Sequence, residues 1–438
     1  MRIVSIAGAL VTYTLAAAPS AAAPLTDGEL RAALAELEVL KERQAETDAR
    51  IRAIESKLLG IAPTGEPNEG ADVGEYGEAA IVLIPSTPAL TVSSRASAAG
   101  LNLTGDMLFR FEGNYTDSGL LPDQERAVMR ARLGATQSVN EKLTVGGLLE
   151  TGDPDDPNSG YLTLSNFADD FQVSLSRAYA SYDLGGTTLL AGKFAKPFMS
   201  TDLLWDGDVN PTGLAGRSKV RLSSGSDINL SGLLFVVDES AGGDDSQMIG
   251  AQAHLQSSWG SHFKTDIAAA YYDYELSSVG GADAGDFRTN LLRPDGTYVS
   301  DYDLLDLLAR ISWTGISERW PVALTVNHVT NLGAAVDDDK ALGIDLSVGR
   351  AHQRHEFSFA YGYGEAEVDA VLAAFSHDNY SFATNYMAHE LSARYVLTEN
   401  VSLSASLYHY KPLSSAYAGT LVPDEWLDRV RMNLAISY

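Results

Sequence analysis

The sequence predicts an all-β fold: a transmembrane antiparallel β-barrel of about sixteen strands, preceded by a short α-helical coiled coil. Three observations predict it. The chain ends on a two-faced strand, tight turns alternate with long loops over residues 101–438, and the one long apolar run sits at the N-terminus, which leaves membrane crossing to strands. In the terminal segment Val430, Met432, Leu434, Ile436 and Tyr438 share one face, and Arg429, Arg431, Asn433, Ala435 and Ser437 share the other. A strand has period two, so one face suits lipid and the other water. Taken alone, the last strand of a soluble sandwich would read the same way, and the rest of the chain has to decide.

Residues 1–23 read as a signal peptide, with Arg2, an apolar run over 3–18, and then Ser20, Ala21, Ala22 and Ala23 as small cleavage-site residues. Cleavage is expected after Ala22 or Ala23, and Pro24 disfavours the second. The run is too short for a membrane anchor. Only helices and closed barrels satisfy their backbone groups in lipid, so an exported chain without another apolar helix enters a membrane as strands. A net charge of -27 opposes binding to nucleic acid. The absence of cysteine excludes disulfide staples, cysteine metal sites and thiol catalysis together.

Residues 24–60 read as a periplasmic coiled coil. Thr26 and Glu29 have capping-box spacing, and Leu30, Ala33, Leu37, Leu40, Gln44, Thr47, Ile51, Ile54 and Leu58 recur at alternating steps of three and four. In a parallel coil Glu36 meets Lys41, Arg43 meets Asp48, and Arg50 meets Glu55, all of opposite sign, as a homo-oligomer requires. The competing reading is an amphipathic helix packed on its own domain. Residues 61–100 form a linker with Pro63, Pro67, Pro85 and Pro88, and with an apolar patch over 80–84 that packs on the barrel or plugs its mouth.

The barrel occupies 101–438, with strands expected at 101–115, 125–138, 141–151, 171–184, 187–195, 214–223, 227–238, 246–259, 262–276, 301–315, 319–331, 340–351, 354–367, 385–397, 400–410 and 425–438. Short turns at Asn140, Gly185-Gly186, Gly225, Gly260-Ser261 and Glu399 alternate with long polar loops at 152–170, 196–213, 277–300 and 368–384. Short turns on one side and long loops on the other mark a membrane barrel rather than a sandwich. Trp259, Trp313 and Trp320 fall beside short turns, where an interfacial belt sits.

Alternation then assigns the lumen. Ala127, Met129, Ala131 and Leu133 point outward, so Arg126, Arg130 and Arg132 point in; Val220 and Leu222 likewise send Arg217, Lys219 and Arg221 inward. The first strand offers Arg110 beside Asp106 and Glu112, the last offers Arg429 and Arg431, and closure joins these strands into one basic wall. At a climb of roughly 2.4 Å per residue, Arg132, Arg217 and Arg431 lie near mid-membrane. These arginines either line a pore constriction or pair with inward acids to support the wall. The loop 196–211 carries Phe198, Leu203, Leu204 and Trp205, which an exposed loop would not need. Folded into the barrel, it would turn Asp202, Asp206 and Asp208 toward the arginines; the alternative is an outward loop packed on a neighbouring subunit.

The segments Glu125-Arg126, Arg130-Ala131-Arg132-Leu133-Gly134, Glu150-Thr151-Gly152-Asp153, Arg177-Ala178-Tyr179, Gly192-Lys193, Thr201-Asp202-Leu203-Leu204-Trp205-Asp206, and Asn210-Pro211 with Gly213 resemble the putative-porin family of Gram-negative outer membranes. The terminal aromatic Tyr438 is similar to the signal read by the outer-membrane barrel assembly machinery. The resemblance implies an outer-membrane location with the coil in the periplasm. It also implies a homotrimer in outer-membrane lipid and a passive diffusion channel for small polar solutes. The recurrence of inward arginines on three strands against one acidic loop leans the solute toward anions. The rival from another class is an anchor with a closed barrel, whose coil reaches toward the cell wall.

Catalytic patterns are absent from the sequence. Carboxylates in 152–160 approach calcium spacing but lack the closing Glu and carry two prolines, and His352 with His355 flanks a short turn. No Gly-x-Ser-x-Gly elbow or P-loop occurs. The expectation is a protein without cofactor, metal or catalysis.

Overall fold

The structure, a computed structural model, describes residues 100–438 apart from 117–122, 155, 158, 165–169, 241–242, 278–288 and 419–424. The expected signal peptide and coiled coil, and the linker up to residue 99, lie outside the described residues. Among the described residues seventeen strands form one antiparallel sheet: β1 (Leu101–Thr116), β2 (Gln124–Ser138), β3 (Leu143–Thr151), β4 (Leu162–Thr163), β5 (Val173–Asp183), β6 (Thr187–Lys193), β7 (Thr212–Ser223), β8 (Ser226–Asp238), β9 (Ser246–Trp259), β10 (Phe263–Glu275), β11 (Tyr302–Trp313), β12 (Val322–Asn331), β13 (Lys340–Gly349), β14 (Phe357–Ala366), β15 (Tyr386–Thr398), β16 (Val401–Pro412) and β17 (Leu427–Ser437). Sixteen make the wall. The two-residue β4 belongs to the loop after β3 and pairs with Val128 and Met129 of β2, extending the wall where β3 has ended.

Closure is direct. β1 pairs with β2 on one side and with β17 on the other, with Glu112 opposite Arg126 and Arg431. At the seam Gly105 and Tyr438 exchange backbone hydrogen bonds, each 2.9 Å. A Cβ on Gly105 would stand 2.5 Å from the Tyr438 ring, so the glycine leaves room for the terminal aromatic to cover it.

The two faces separate by chemistry. Leu133, Leu175, Leu214, Leu222, Ile249, Ile267 and Leu391 are exposed on the outer wall, as contact with lipid requires. Along β9 the alternate residues Met248, Gln252 and His254 are buried and face in. Near the short turns Trp259 is exposed with its Nε1 donating to Thr265, and Phe263 stacks on Trp313. These aromatic rings sit where a lipid–water belt places them.

The interior is not uniformly wet. Trp205, Phe198, Leu203 and Leu204 pack with Phe235, Met248, Tyr272 and Phe375 into an apolar core inside the barrel. That core packs against strands from β7 to β17, while Arg110, Arg130, Arg132 and Arg431 gather on β1, β2 and β17. It comes from two loops that enter the lumen, one between β6 and β7 and one between β14 and β15.

Candidate pore constriction

The loop 194–211 leaves the wall through a narrow neck. Gly192 and Gly213 face each other across β6 and β7 with φ of 110° and 153°, a region that favours glycine. A Cβ at Gly192 would collide with the Ala178 carbonyl oxygen, and one at Gly213 with that of Leu234. Just beyond this pair, Phe194 N–H donates to the Pro211 carbonyl at 3.1 Å and closes the neck. From there the chain crosses the lumen. Gln252 holds Met199 by bonds of 2.8 and 2.7 Å through both backbone groups, Thr201 bonds Asn327, and Trp205 is 1% exposed in the core.

The returning limb meets the arginines. Arg130 donates to Asp208 at 3.0 Å, and Arg132 lies 3.7 Å from the same carboxylate. Arg132 also holds Asp106 at 2.9 Å, and Glu150 stands 3.9 Å from both guanidiniums. Arg177 Nε donates to Asn210 Oδ1 at 2.7 Å. Arg110 donates to Asn433 and to the Tyr161 hydroxyl, both at 2.8 Å, with its guanidinium 3.9 Å over that ring. Charged hydrogen bonds of this kind, buried away from bulk water, are strong and directional. They fix the loop against β2 and β5. Above them a cavity of about 370 Å³ is lined by Glu150, Lys193, Asp208, Asn210, Phe235 and Phe375.

Of the three loop acids expected to face the arginines, only Asp208 makes ion pairs with them. Asp206 is buried and accepts from the Asp208 N–H at 2.8 Å, which shapes the turn. Burial pushes the Asp202 carboxyl up to about 6; Lys196 opposes that shift, while Asp345, Asp208 and Asp378 add to it. Lys196 is itself held by the carbonyls of Trp205 and Asp206.

The loop 367–385, read from sequence as polar, is a second inward element. Ala370, Val371, Leu372, Ala373 and Phe375 are buried, Asp206 N–H donates to the Phe375 carbonyl at 2.8 Å, and Trp205 stacks on Phe375 at 5.9 Å. Arg431, expected opposite the first loop, instead reaches this one: it holds Glu112 at 2.6 Å, Asn379 Oδ1 at 2.7 Å and the Asp378 carbonyl at 3.0 Å. Arg429 donates to the carbonyls of Asn379 and Asp378 at 2.8 and 3.1 Å. The signal for this loop was present in the sequence, since the apolar run from Val368 to Phe375 has the same character as Phe198 to Trp205.

The remaining basic residues lie elsewhere. Arg217, Lys219 and Arg221 share the inward parity of β7 but are exposed, and Lys219 and Arg221 pair with Asp227 across the short turn to β8 at 3.0 and 3.2 Å. They belong to the short-turn end of the barrel and are not brought to the loop acids. Arg126 pairs with Glu112 at 2.7 Å on the long-loop side. His352 and His355 sit in the turn between β13 and β14, where His355 bonds the Tyr395 hydroxyl at 2.6 Å and Glu356 accepts from His352 N–H at 3.2 Å. No cluster of side chains among the described residues could hold a metal ion.

Comparison with known proteins agrees with this architecture. Residues 115–285 match the family described as "Putative porin". No curated protein matches the chain. Among solved structures, the high-pH form of OprB from Pseudomonas putida is similar with a TM-score of 0.52 and 13% identity, over 77% of this chain and 94% of that one. The Salmonella typhi OmpF complex with daunomycin and the anion-selective porin from Comamonas acidovorans each give 0.47 at 12% identity, over 77% of this chain and 97% and 99% of theirs. At 13% identity the likeness to OprB is one of fold. The family match covers residues 115–285, and the likeness to the solved structure extends the barrel fold over 77% of the chain.

Proposed function

We propose that the channel passes small polar solutes, anions among them, through a constriction between the inward loops and the wall of β1, β2, β3 and β17. The observation that carries this reading is the row of Arg110, Arg130, Arg132 and Arg431 bonded to carboxylates and loop atoms inside a barrel whose outer wall is apolar. Charges facing lipid would be costly, and facing a wet lumen they are tolerated. Arg126 and Arg429 continue this wall toward the long loops, and Arg217, Lys219 and Arg221 line the lumen at the opposite end. Asp208 acts as the counter-charge at the narrowest level, with Asp202 and Asp206 on the same loop. The mechanism is diffusion limited by width and charge, with no catalytic step.

We further read the protein as a homotrimer, with the coiled coil of residues 24–60 in the periplasm and Tyr438 as the residue that the assembly machinery recognises. Chemical crosslinking of the purified full chain tests the assembly: a trimer band supports it, and a monomer alone overturns it. The rival, a closed barrel serving as an anchor, draws on one observation, the apolar core that fills part of the lumen. Single-channel recording separates the two. Stepwise conductance from the folded protein supports the channel, and its absence supports the anchor.

A further inference from the structure

We propose that the loop 367–385 is a second aperture-setting element of the pore, and that Arg429 and Arg431 are the positioning residues that latch it; this rests on the channel reading. The loop has a fixed base and a separately held tip. At the base, Asn290 donates to the carbonyls of Val368 and Val371 at 2.9 and 3.0 Å and accepts from Ala373 N–H at 2.7 Å. Asp369 accepts from Ser300 Oγ at 2.6 Å and from Leu291 N–H at 3.0 Å. These bonds tie the base to the neighbouring loop before β11 and do not involve the wall on the far side.

The tip is held from that far side. Four donor contacts from Arg429 and Arg431 converge on Asp378 and Asn379, and the Arg431 guanidinium also lies 3.5 Å from the Asp378 carboxylate. Arg431 is 1% exposed, and its geometry is set by Glu112, which is 0% exposed. The planar fork of a guanidinium reaches two acceptors at once, which an ammonium cannot do. Between base and tip, Ser376 Oγ donates to the Leu203 carbonyl at 3.0 Å, so the second loop also rests on the first. A backbone segment whose carbonyls are bonded by two wall arginines stands in the lumen rather than over its mouth. Its release would widen the path.

The test uses the full chain, which has no native cysteine. The double variant Arg429→Gln with Arg431→Lys keeps a cation beside Glu112 but removes the forked contacts. Its single-channel conductance is expected to rise by about twofold or more, together with the size limit for neutral sugars in liposome swelling, because both follow the open cross-section. Leu203→Cys with Ser376→Cys, added to that variant and oxidised, is expected to return both readings to the wild-type values, and reduction to release them. Replacing residues 376–381 by a Gly-Ser segment, with both arginines intact, must open the pore equally, which covers the case in which the double variant does not insert. Unchanged conductance and size limit in these folded variants would overturn the latch. A crosslink that restores nothing would do the same. A wild-type barrel that shows no conductance would instead overturn the channel reading on which the latch rests.

Discussion

Replacing Asp208 by asparagine removes one negative charge from the inward loop 194–211 while keeping the size of the side chain. Asp208 lies 3.0 Å from Arg130 and 3.7 Å from Arg132, and all three side chains are largely buried. At an effective dielectric near 20 these contacts correspond to gross attractions of about 5 and about 4 kcal/mol. Most of that is offset by the cost of keeping the charges out of water, and breaking one partner of a buried pair is found to cost about 3–5 kcal/mol. Arg130 and Arg132 retain Glu150 at 3.9 Å, and Arg132 retains Asp106 at 2.9 Å, so the loss belongs at the low end of that range or below it, about 2–3 kcal/mol. As a change in how firmly the loop 194–211 is held, that is about 30- to 150-fold in the population of the released form. Single-channel recording of Asp208→Asn is expected to show more open-channel noise and a reversal potential shifted toward anions. Quiet currents with the wild-type reversal potential, from a variant that inserts normally, would refute the clamp.

Three further outcomes follow from the same geometry. Tyr438→Ser removes the ring that covers Gly105 at the closing seam and is expected to lower the amount of folded barrel in the outer membrane; normal levels on surface immunoblots would show that the terminal ring is dispensable. Gly213→Val forces a β-branched side chain onto a φ of 153° and against the Leu234 carbonyl, so the loop neck should distort, with a loss of about 2 kcal/mol or more in urea-unfolding stability. The Asp202 carboxyl, raised to about 6 by burial and by nearby Asp345, Asp208 and Asp378 against Lys196, is charged above that pH and neutral below it. Cation preference should therefore fall as pH drops through about 6, and Asp202→Asn should abolish that titration; a variant that titrates like the wild type would assign the change to another group.

The strands were legible because lipid on one side and water on the other force a period of two, and every tight turn marks where the pattern restarts. The inward course of the loop 194–211 was legible from Phe198, Leu203, Leu204 and Trp205, which exposed positions do not use. The loop 367–385 was passed over although Val368 to Phe375 carries the same apolar signal, because its length and flanking polar residues suited an external loop. Arg217 shows what alternation cannot supply. Parity fixes which face a side chain takes, but its partner depends on where distant loops enter the lumen, and among the described residues no loop acid pairs with Arg217. Arg431 was placed on the correct wall for the same local reason, while its partners Asp378 and Asn379 come from a loop some fifty residues upstream. The sequence leaves open whether the arginines stand as pore charges or pair with inward acids, and Arg130, Arg132 and Arg431 each hold a carboxylate within 3.0 Å.

The central claim is that this barrel encloses a water-filled path whose width limits what passes. Liposome swelling with neutral sugars of graded size tests it most directly, using purified full-length protein whose folding is verified by its heat-modifiable mobility. The account predicts swelling rates that rise linearly with solute concentration and fall steeply with solute size, while no swelling by any sugar, or rates that saturate with concentration, would contradict it.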